Sequence, residues 1–310
     1  MSEFLPEARR LTIAVVGLGG VGGIAAASLA AAGMHDVIAC VRKPLVRLTL
    51  ERGDEAIDVA LQALTDPAQA RPVHWVLLCT KTQDTAGAAP WLRRFCTRTT
   101  RVAVLQNGID HVARVAPIAA GATVLPVIVY YNAERLVADR VRLRQVGDRD
   151  FVVPDGADGR AFAQLWENTR LRVGLDADFV THIWRKLLIN AIANPITALT
   201  LLRQAVLRRP DIQALCHGIL DEAIAVARAE GANLTANEAE RTLEKLFTFS
   251  GELGTSMYFD RLAGRTMEVE ALTGPIVAKA AQHGLAAPLN GALLALLRAV
   301  NAAAAAGGAS

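Results

Sequence analysis

The segment Thr12-Ile-Ala-Val-Val-Gly-Leu-Gly-Gly-Val-Gly-Gly23 constrains the fold of this chain more than any other. An apolar run of strand length breaks into a glycine turn, and an alanine-rich stretch of helical character begins near Val21. Gly17, Gly19 and Gly22 keep the G-x-G-x-x-G spacing: the first allows the tight turn, the second close approach to a pyrophosphate, and the third packing of helix on strand. The unpaired N–H groups that open the helix then face the phosphates. Gly17, Leu18, Gly19, Gly20, Val21 and Gly22 are therefore the expected dinucleotide cradle.

The next apolar run, His35-Asp-Val-Ile-Ala-Cys-Val-Arg42, ends where an NAD enzyme would place an acidic residue for the ribose 2′-hydroxyl. Arg42 and Lys43 stand there instead. A 2′-phosphate needs cationic donors, and the planar fork of arginine suits phosphate, so this pair favours NADPH over NADH. A solvated basic loop is the plainer alternative.

With 310 residues, 52% of them hydrophobic, the chain has material for two domains with cores of their own. A net charge of +3, with its cations scattered, does not make a nucleic-acid surface; the expected partner is a small anionic substrate. Cys40, Cys79, Cys96 and Cys216 are widely separated and form neither a disulfide framework nor a zinc spacing. Cys40 and Cys79 end apolar runs and read as small hydrophobes. The histidines lack metal-ligand spacing, and no metal is expected. The uncharged run from Leu11 to Met34 follows two arginines but carries flexible glycines at its centre, which excludes a membrane span. The expected location is the cytoplasm, away from membranes.

Further short apolar runs, Val73–Cys79, Arg101–Leu105 and Ala122–Tyr131, alternate with helix-compatible stretches in the rhythm of a doubly wound parallel sheet. Near Val141–Val146 apolar and polar residues alternate singly, which predicts antiparallel strands finishing the sheet. Beyond residue 176 helical patterns take over at Asp178–Asn194, Asp211–Glu230, Asn237–Phe247 and Gly274–His283. The expected fold is α/β, with a nucleotide-binding domain over 1–176 and a mostly α-helical substrate and dimerisation domain over 177–310. An apolar helical domain makes a homodimer reasonable. The alanine-rich end from Asn301 reads as a fraying tail.

Ligands of open α/β sheets bind beyond the carboxyl ends of the strands. Cys79-Thr-Lys81 and Gln106-Asn107-Gly108 follow two of those ends, although Asn-Gly is equally an ordinary turn pair. In Trp184-Arg-Lys186-Leu-Leu-Ile-Asn190-Ala-Ile-Ala-Asn194-Pro195, the residues Lys186, Asn190 and Asn194 recur every four positions and share one helical face amid apolar neighbours. A desolvated lysine there is pushed toward a pKa useful for proton transfer, unless its stem simply carries it to solvent.

These motifs, with Thr255-Ser-Met-Tyr-Phe-Asp-Arg-Leu-Ala-Gly-Arg-Thr-Met-Glu-Val-Glu270 and Gly274, fall in an order that resembles the ketopantoate reductases (2-dehydropantoate 2-reductases) from the glycine turn nearly to the C-terminus. The resemblance implies a Rossmann-type domain followed by a helical domain like the C-terminal one of 6-phosphogluconate dehydrogenase. It implies Lys186 as the general acid that protonates a ketone while NADPH delivers hydride, and Glu268 as its carboxylate partner at the cofactor. It implies that Asn107, Asn190, Asn194 and Ser256 hold substrate and nicotinamide, and that Lys81 lies close to the reacting ring. The substrate is then a small 2-oxo acid.

Three departures fall at the substrate end: Leu253 replaces a polar residue, Tyr258-Phe259 replaces a smaller, more polar pair, and Ile109-Asp110 follows Gln106-Asn-Gly where a small or apolar pair is usual. They leave open a branched or aromatic 2-oxo acid other than ketopantoate. A non-catalytic NADPH sensor is a third reading, but it would not need Lys186 and Glu268.

Overall fold

The computed structural model describes residues 10–307, with side chains to 304. These residues group into two units: one holds the chain through 106 together with 111–179, and the other holds 107–110 together with 180 onward.

The first unit runs β1 (Thr12–Val16), α1 (Gly20–Ala32), β2 (Asp36–Cys40), β3 (Arg47–Arg52), β4 (Glu55–Ala60), β5 (Gln62–Leu64), β6 (Trp75–Leu78), α2 (Thr85–Phe95), β7 (Arg101–Val104), α3 (His111–Val115), β8 (Thr123–Pro126), β9 (Ile128–Val129), β10 (Asn132–Val137), β11 (Arg140–Arg144), β12 (Phe151–Pro154), α4 (Ala157–Gln164) and β13 (Val173–Asp176). Its main sheet is parallel throughout and ordered β5-β2-β1-β6-β7-β8. The chain moves outward from β1 to β2 and β5, then returns to place β6 on the other side of β1. The carboxyl ends of β1 and β6 are thus the switch point at which such sheets bind ligands. β1 and β6 read as nearly unbroken apolar runs because both faces of the sheet are covered.

The expected antiparallel strands form, but they do not finish this sheet. β10 and β11 belong to a second sheet ordered β10-β11-β3-β4, in which β11 runs parallel to β3. The hairpin β3–β4 turns through Gly53 and Asp54, with Gly53 at φ 58°. Leu48, Leu50, Val141 and Leu143 of this sheet share one core with Ile24–Ala27 and Leu29 of α1. This burial on every side explains a helix that carries no polar face.

The second unit is helical: α5 (Phe179–Thr200), α6 (Pro210–Ala229), α7 (Glu238–Phe247), α8 (Ser256–Leu262), α9 (Val269–Leu272), α10 (Gly274–Gln282) and α11 (Pro288–Gly307). Helix α5 continues past Pro195, although proline removes one helical hydrogen bond and ordinarily marks an end. It ends instead at Leu201, a non-glycine residue at φ 55°, and the Arg261 guanidinium donates to the carbonyls of Ala198 and Leu199. The alanine-rich end is corrected as well. Residues 301–307 are the last turns of α11, and the Asn301 side chain accepts from Met267 N at 2.9 Å and donates to Met267 O at 3.0 Å. The last three residues lie outside the described chain. No helix among the described residues is long and apolar enough to cross a membrane.

Candidate active site

In the first unit the glycine turn follows from steric necessity. Gly17 sits at φ 97°, and a Cβ there would lie 2.6 Å from the Thr80 amide nitrogen, so the turn lies against the segment leaving β6. A Cβ on Gly22 would lie 2.0 Å from the Gly17 carbonyl oxygen, and one on Gly20 would lie 2.8 Å from the Ala133 carbonyl oxygen. Gly19 differs, because a Cβ built there meets nothing within 4 Å. Helix α1 starts beside it with no side-chain cap on its N–H groups. Open space and uncapped donors are what a pyrophosphate requires, so the cradle fits the dinucleotide expected from the sequence. Leu18 is buried beneath the turn, and the Val21 carbonyl accepts from the Tyr131 hydroxyl at 3.1 Å.

Val16 pairs with Cys40, so Arg42 and Lys43 emerge just beyond the end of β2 that neighbours the turn, and both are exposed. Lys81 is half-buried one residue after Thr80, the residue against which Gly17 rests.

The second unit carries the other group of expected residues. Glu268 is only 4% exposed and stands directly ahead of α9, where it follows Met267 with its two hydrogen bonds to Asn301. Its Oε2 accepts from Asn107 Nδ2 at 2.9 Å. Gly108 makes this approach workable: it adopts φ 94°, and a Cβ on it would lie 2.8 Å from the Ala271 carbonyl oxygen. Lys186 lies on α5. Burial pushes its ammonium down to about 8, against the pull of the Glu268 carboxylate, which favours the charged form. A lysine with that pKa holds a proton at neutral pH and can release it.

One and two turns further along α5 stand Asn190, half-buried, and Asn194, 4% exposed. Asn194 Nδ2 donates to Asn190 Oδ1 at 3.1 Å, while its own Oδ1 accepts from Ser256 Oγ and from the Met257 amide, each at 3.1 Å. Thr255 caps α8 by accepting from the Tyr258 amide, and it shares a 2.7 Å hydrogen bond with Thr197 of α5. Asn190 and Ser256 are therefore held in place by one buried amide, with Ser256 itself exposed. Of the two aromatic departures, Tyr258 is 7% exposed beneath the Arg203 guanidinium, and only Phe259, at 47%, presents a ring to solvent.

The family model described as "Ketopantoate reductase PanE/ApbA" matches residues 13–156, and the one described as "Ketopantoate reductase PanE/ApbA C terminal" matches residues 178–301. A 2-dehydropantoate 2-reductase of Caulobacter vibrioides is 37% identical over 93% of this chain and 98% of its own length. The chain belongs to the ketopantoate reductase family. A second member, the 2-dehydropantoate 2-reductase of Mycobacterium tuberculosis, is 40% identical over 93% of this chain and 97% of its own. Among solved structures, a PanE/ApbA family ketopantoate reductase from Ralstonia eutropha superposes with a TM-score of 0.86 at 27% identity, over 94% of this chain and 99% of that one. A dimeric ketopantoate reductase from Staphylococcus aureus gives 0.84 at 26% identity, over 95% and 100%. Membership makes the chain an oxidoreductase that works with a nicotinamide cofactor.

Several residues beside the family's motifs escape a reading of the sequence. Thr197 offers a weak signal, since it continues the polar row of Lys186, Asn190 and Asn194 along α5. Asn301 offers none, because an asparagine in an alanine-rich end looks solvated until the helix containing it is seen to pack beside Met267. Lys279 and Asp110, 3.5 Å apart, are also far apart in sequence.

Proposed function

We propose that this chain reduces 2-dehydropantoate (ketopantoate) to pantoate with NADPH, and that Lys186 supplies the proton. The observation that carries this reading is the pairing of a half-buried lysine, its pKa brought to about 8, with the buried carboxylate of Glu268. When bound, the nicotinamide supplies hydride to the carbonyl carbon. Lys186 gives its proton to the carbonyl oxygen as the C–O π bond breaks, and is left as a neutral amine that regains a proton from solvent. Before that transfer its positive charge draws the developing negative charge toward oxygen. Asn107 holds Glu268, and Glu268 keeps the ammonium charged and placed. Asn190 and Ser256 orient the oxo acid, with Asn194 acting as the positioning residue behind them. We assign Lys81, which directly follows the residue packed on the glycine turn, to a place close to the reacting ring of the cofactor.

Arg42 is proposed as the 2′-phosphate ligand, because it extends past the end of β2 nearest the cradle. We extend the dimeric state of the Staphylococcus aureus relative to this chain, and with four free cysteines, all buried, we place it in the reducing cytoplasm.

The exposed Phe259, three residues after Ser256, favours a second reading in which another branched or aromatic 2-oxo acid is preferred. NADPH oxidation measured over a panel containing ketopantoate, 2-oxoisovalerate and phenylglyoxylate decides between them. The highest kcat/KM belongs to ketopantoate under the first reading and to 2-oxoisovalerate or phenylglyoxylate under the second. Failure to oxidise NADPH with any member removes both.

A further inference from the structure

Residues 107–110 form a short loop that must hold the Asn107 amide against Glu268, and such a loop needs anchors at both ends. Its first anchor is the Asn107 to Glu268 hydrogen bond itself, with Gly108 seated on the Ala271 carbonyl. The other end is Asp110. Asp110 Oδ1 lies 3.5 Å from the Lys279 ammonium of α10. Lys279 is in turn held by Glu230 at the end of α6, with Nζ 2.6 Å from Oε2, and the other Glu230 oxygen is 2.6 Å from His283 Nε2. The lysine side chain keeps only 18% of its surface exposed, and Glu230 keeps 22%. Burial works against the Lys279 charge, but Glu230 and Asp110 outweigh it and raise its pKa. The group is therefore a clasp that joins two helices and the loop: the Lys279–Glu230 pair is partly desolvated, while Asp110 keeps 39% of its side chain exposed.

We propose that Lys279 is a positioning residue of the reductase site, fastening the loop through Asp110 so that Asn107 stays aligned on Glu268. The inference rests on the proton-donor reading above, because it acts by fixing the carboxylate that places Lys186. Small displacements of a catalytic group cost rate out of proportion to the energy lost.

The test compares Asp110→Asn, Lys279→Met, the double variant and Lys279→Arg in the full-length protein. Both single variants should lower kcat about three- to tenfold while the NADPH Kd stays unchanged. The double variant should be no slower than the slower single one, because either change opens the same clasp. Lys279→Arg should recover most of the rate. Independently of turnover, the side-chain amide resonance of Asn107 in an NMR spectrum should move in Asp110→Asn and Lys279→Met and stay in place in Lys279→Arg. Values of kcat within twofold of the parent in both single variants, losses that multiply in the double variant, or a loss confined to KM would each overturn the proposal. If the parent protein reduces no oxo acid, the reductase reading falls on that result, and the Asn107 resonance still decides whether the clasp holds the loop.

Discussion

At the scale of single residues, Lys186 is where sequence and structure meet most directly. The four-residue spacing of Lys186, Asn190 and Asn194 is legible because a helix turns every 3.6 residues, so one polar row in an apolar segment announces a shared face. The hydrogen bond between Asn107 and Glu268 is not legible from spacing, since 161 residues separate the two and periodicity carries no information over that distance. Lys186→Ala should lower turnover about 10²- to 10⁴-fold with NADPH binding retained, as read by steady-state rates beside a fluorescence titration. A variant with near-normal saturated turnover and only a raised KM would show that the lysine merely anchors the substrate carboxylate. The pH dependence follows from the same residue. If Lys186 is the proton donor, as proposed, reduction needs its protonated form, and kcat should fall as pH rises through about 8. Glu268 favours the charged lysine, so Glu268→Gln should move that fall to lower pH, and a limb that stays in place or moves upward would contradict the pairing.

At the scale of elements, the main sheet is legible in every strand that is buried on both faces, because such strands are written as uninterrupted apolar runs. The hairpin β3–β4 is harder to see. Its residues alternate across a half-exposed surface, and the signal that could have found it is the Gly53-Asp54 pair at its tip. Helix α5 outruns the stop that local propensity places at Pro195, because buried side chains on both sides of the proline carry the helix through. The turn before α1 yields a sharp comparison. Gly22→Ala forces a methyl group into the Gly17 carbonyl and should lower the melting temperature markedly, while Gly19→Ala meets no protein atom and should leave it nearly unchanged. If that open space receives the pyrophosphate, as proposed, Gly19→Ala should weaken NADPH binding by about tenfold or more. An alanine at 19 that binds NADPH normally would mean that the phosphates lie elsewhere. If Arg42 holds the 2′-phosphate, as proposed, Arg42→Ala removes a charge-assisted contact of about 1.5–3 kcal/mol. NADPH affinity should then drop roughly ten- to hundredfold. NADH affinity should hardly change, and equal losses for the two nucleotides, measured side by side, would return Arg42 to the basic loop.

At the scale of the whole molecule, the four cysteines behave as the sequence implies. All are free and buried; burial raises the pKa of the Cys40 and Cys79 thiols and pushes those of Cys96 and Cys216 up to about 12. Thiolates are the reactive species, so a disulfide reagent at neutral pH should find no fast-reacting thiol in the native protein and four after denaturation. Rapid labelling of the native chain would show a site that opens. The order of domains is legible because strand patterns give way to helical ones near residue 176, but the allocation of residues 107–110 is not, since four residues after a strand carry no mark of the unit they join. That allocation governs how the gene can be divided. A fragment beginning at residue 180 would contain Lys186, Asn190, Ser256 and Glu268 yet lack Asn107, the amide that holds the buried carboxylate, so the second unit cannot be excised intact by any single cut. Separately expressed halves should regain activity only when the N-terminal fragment carries its own residues 107–110 into the complex.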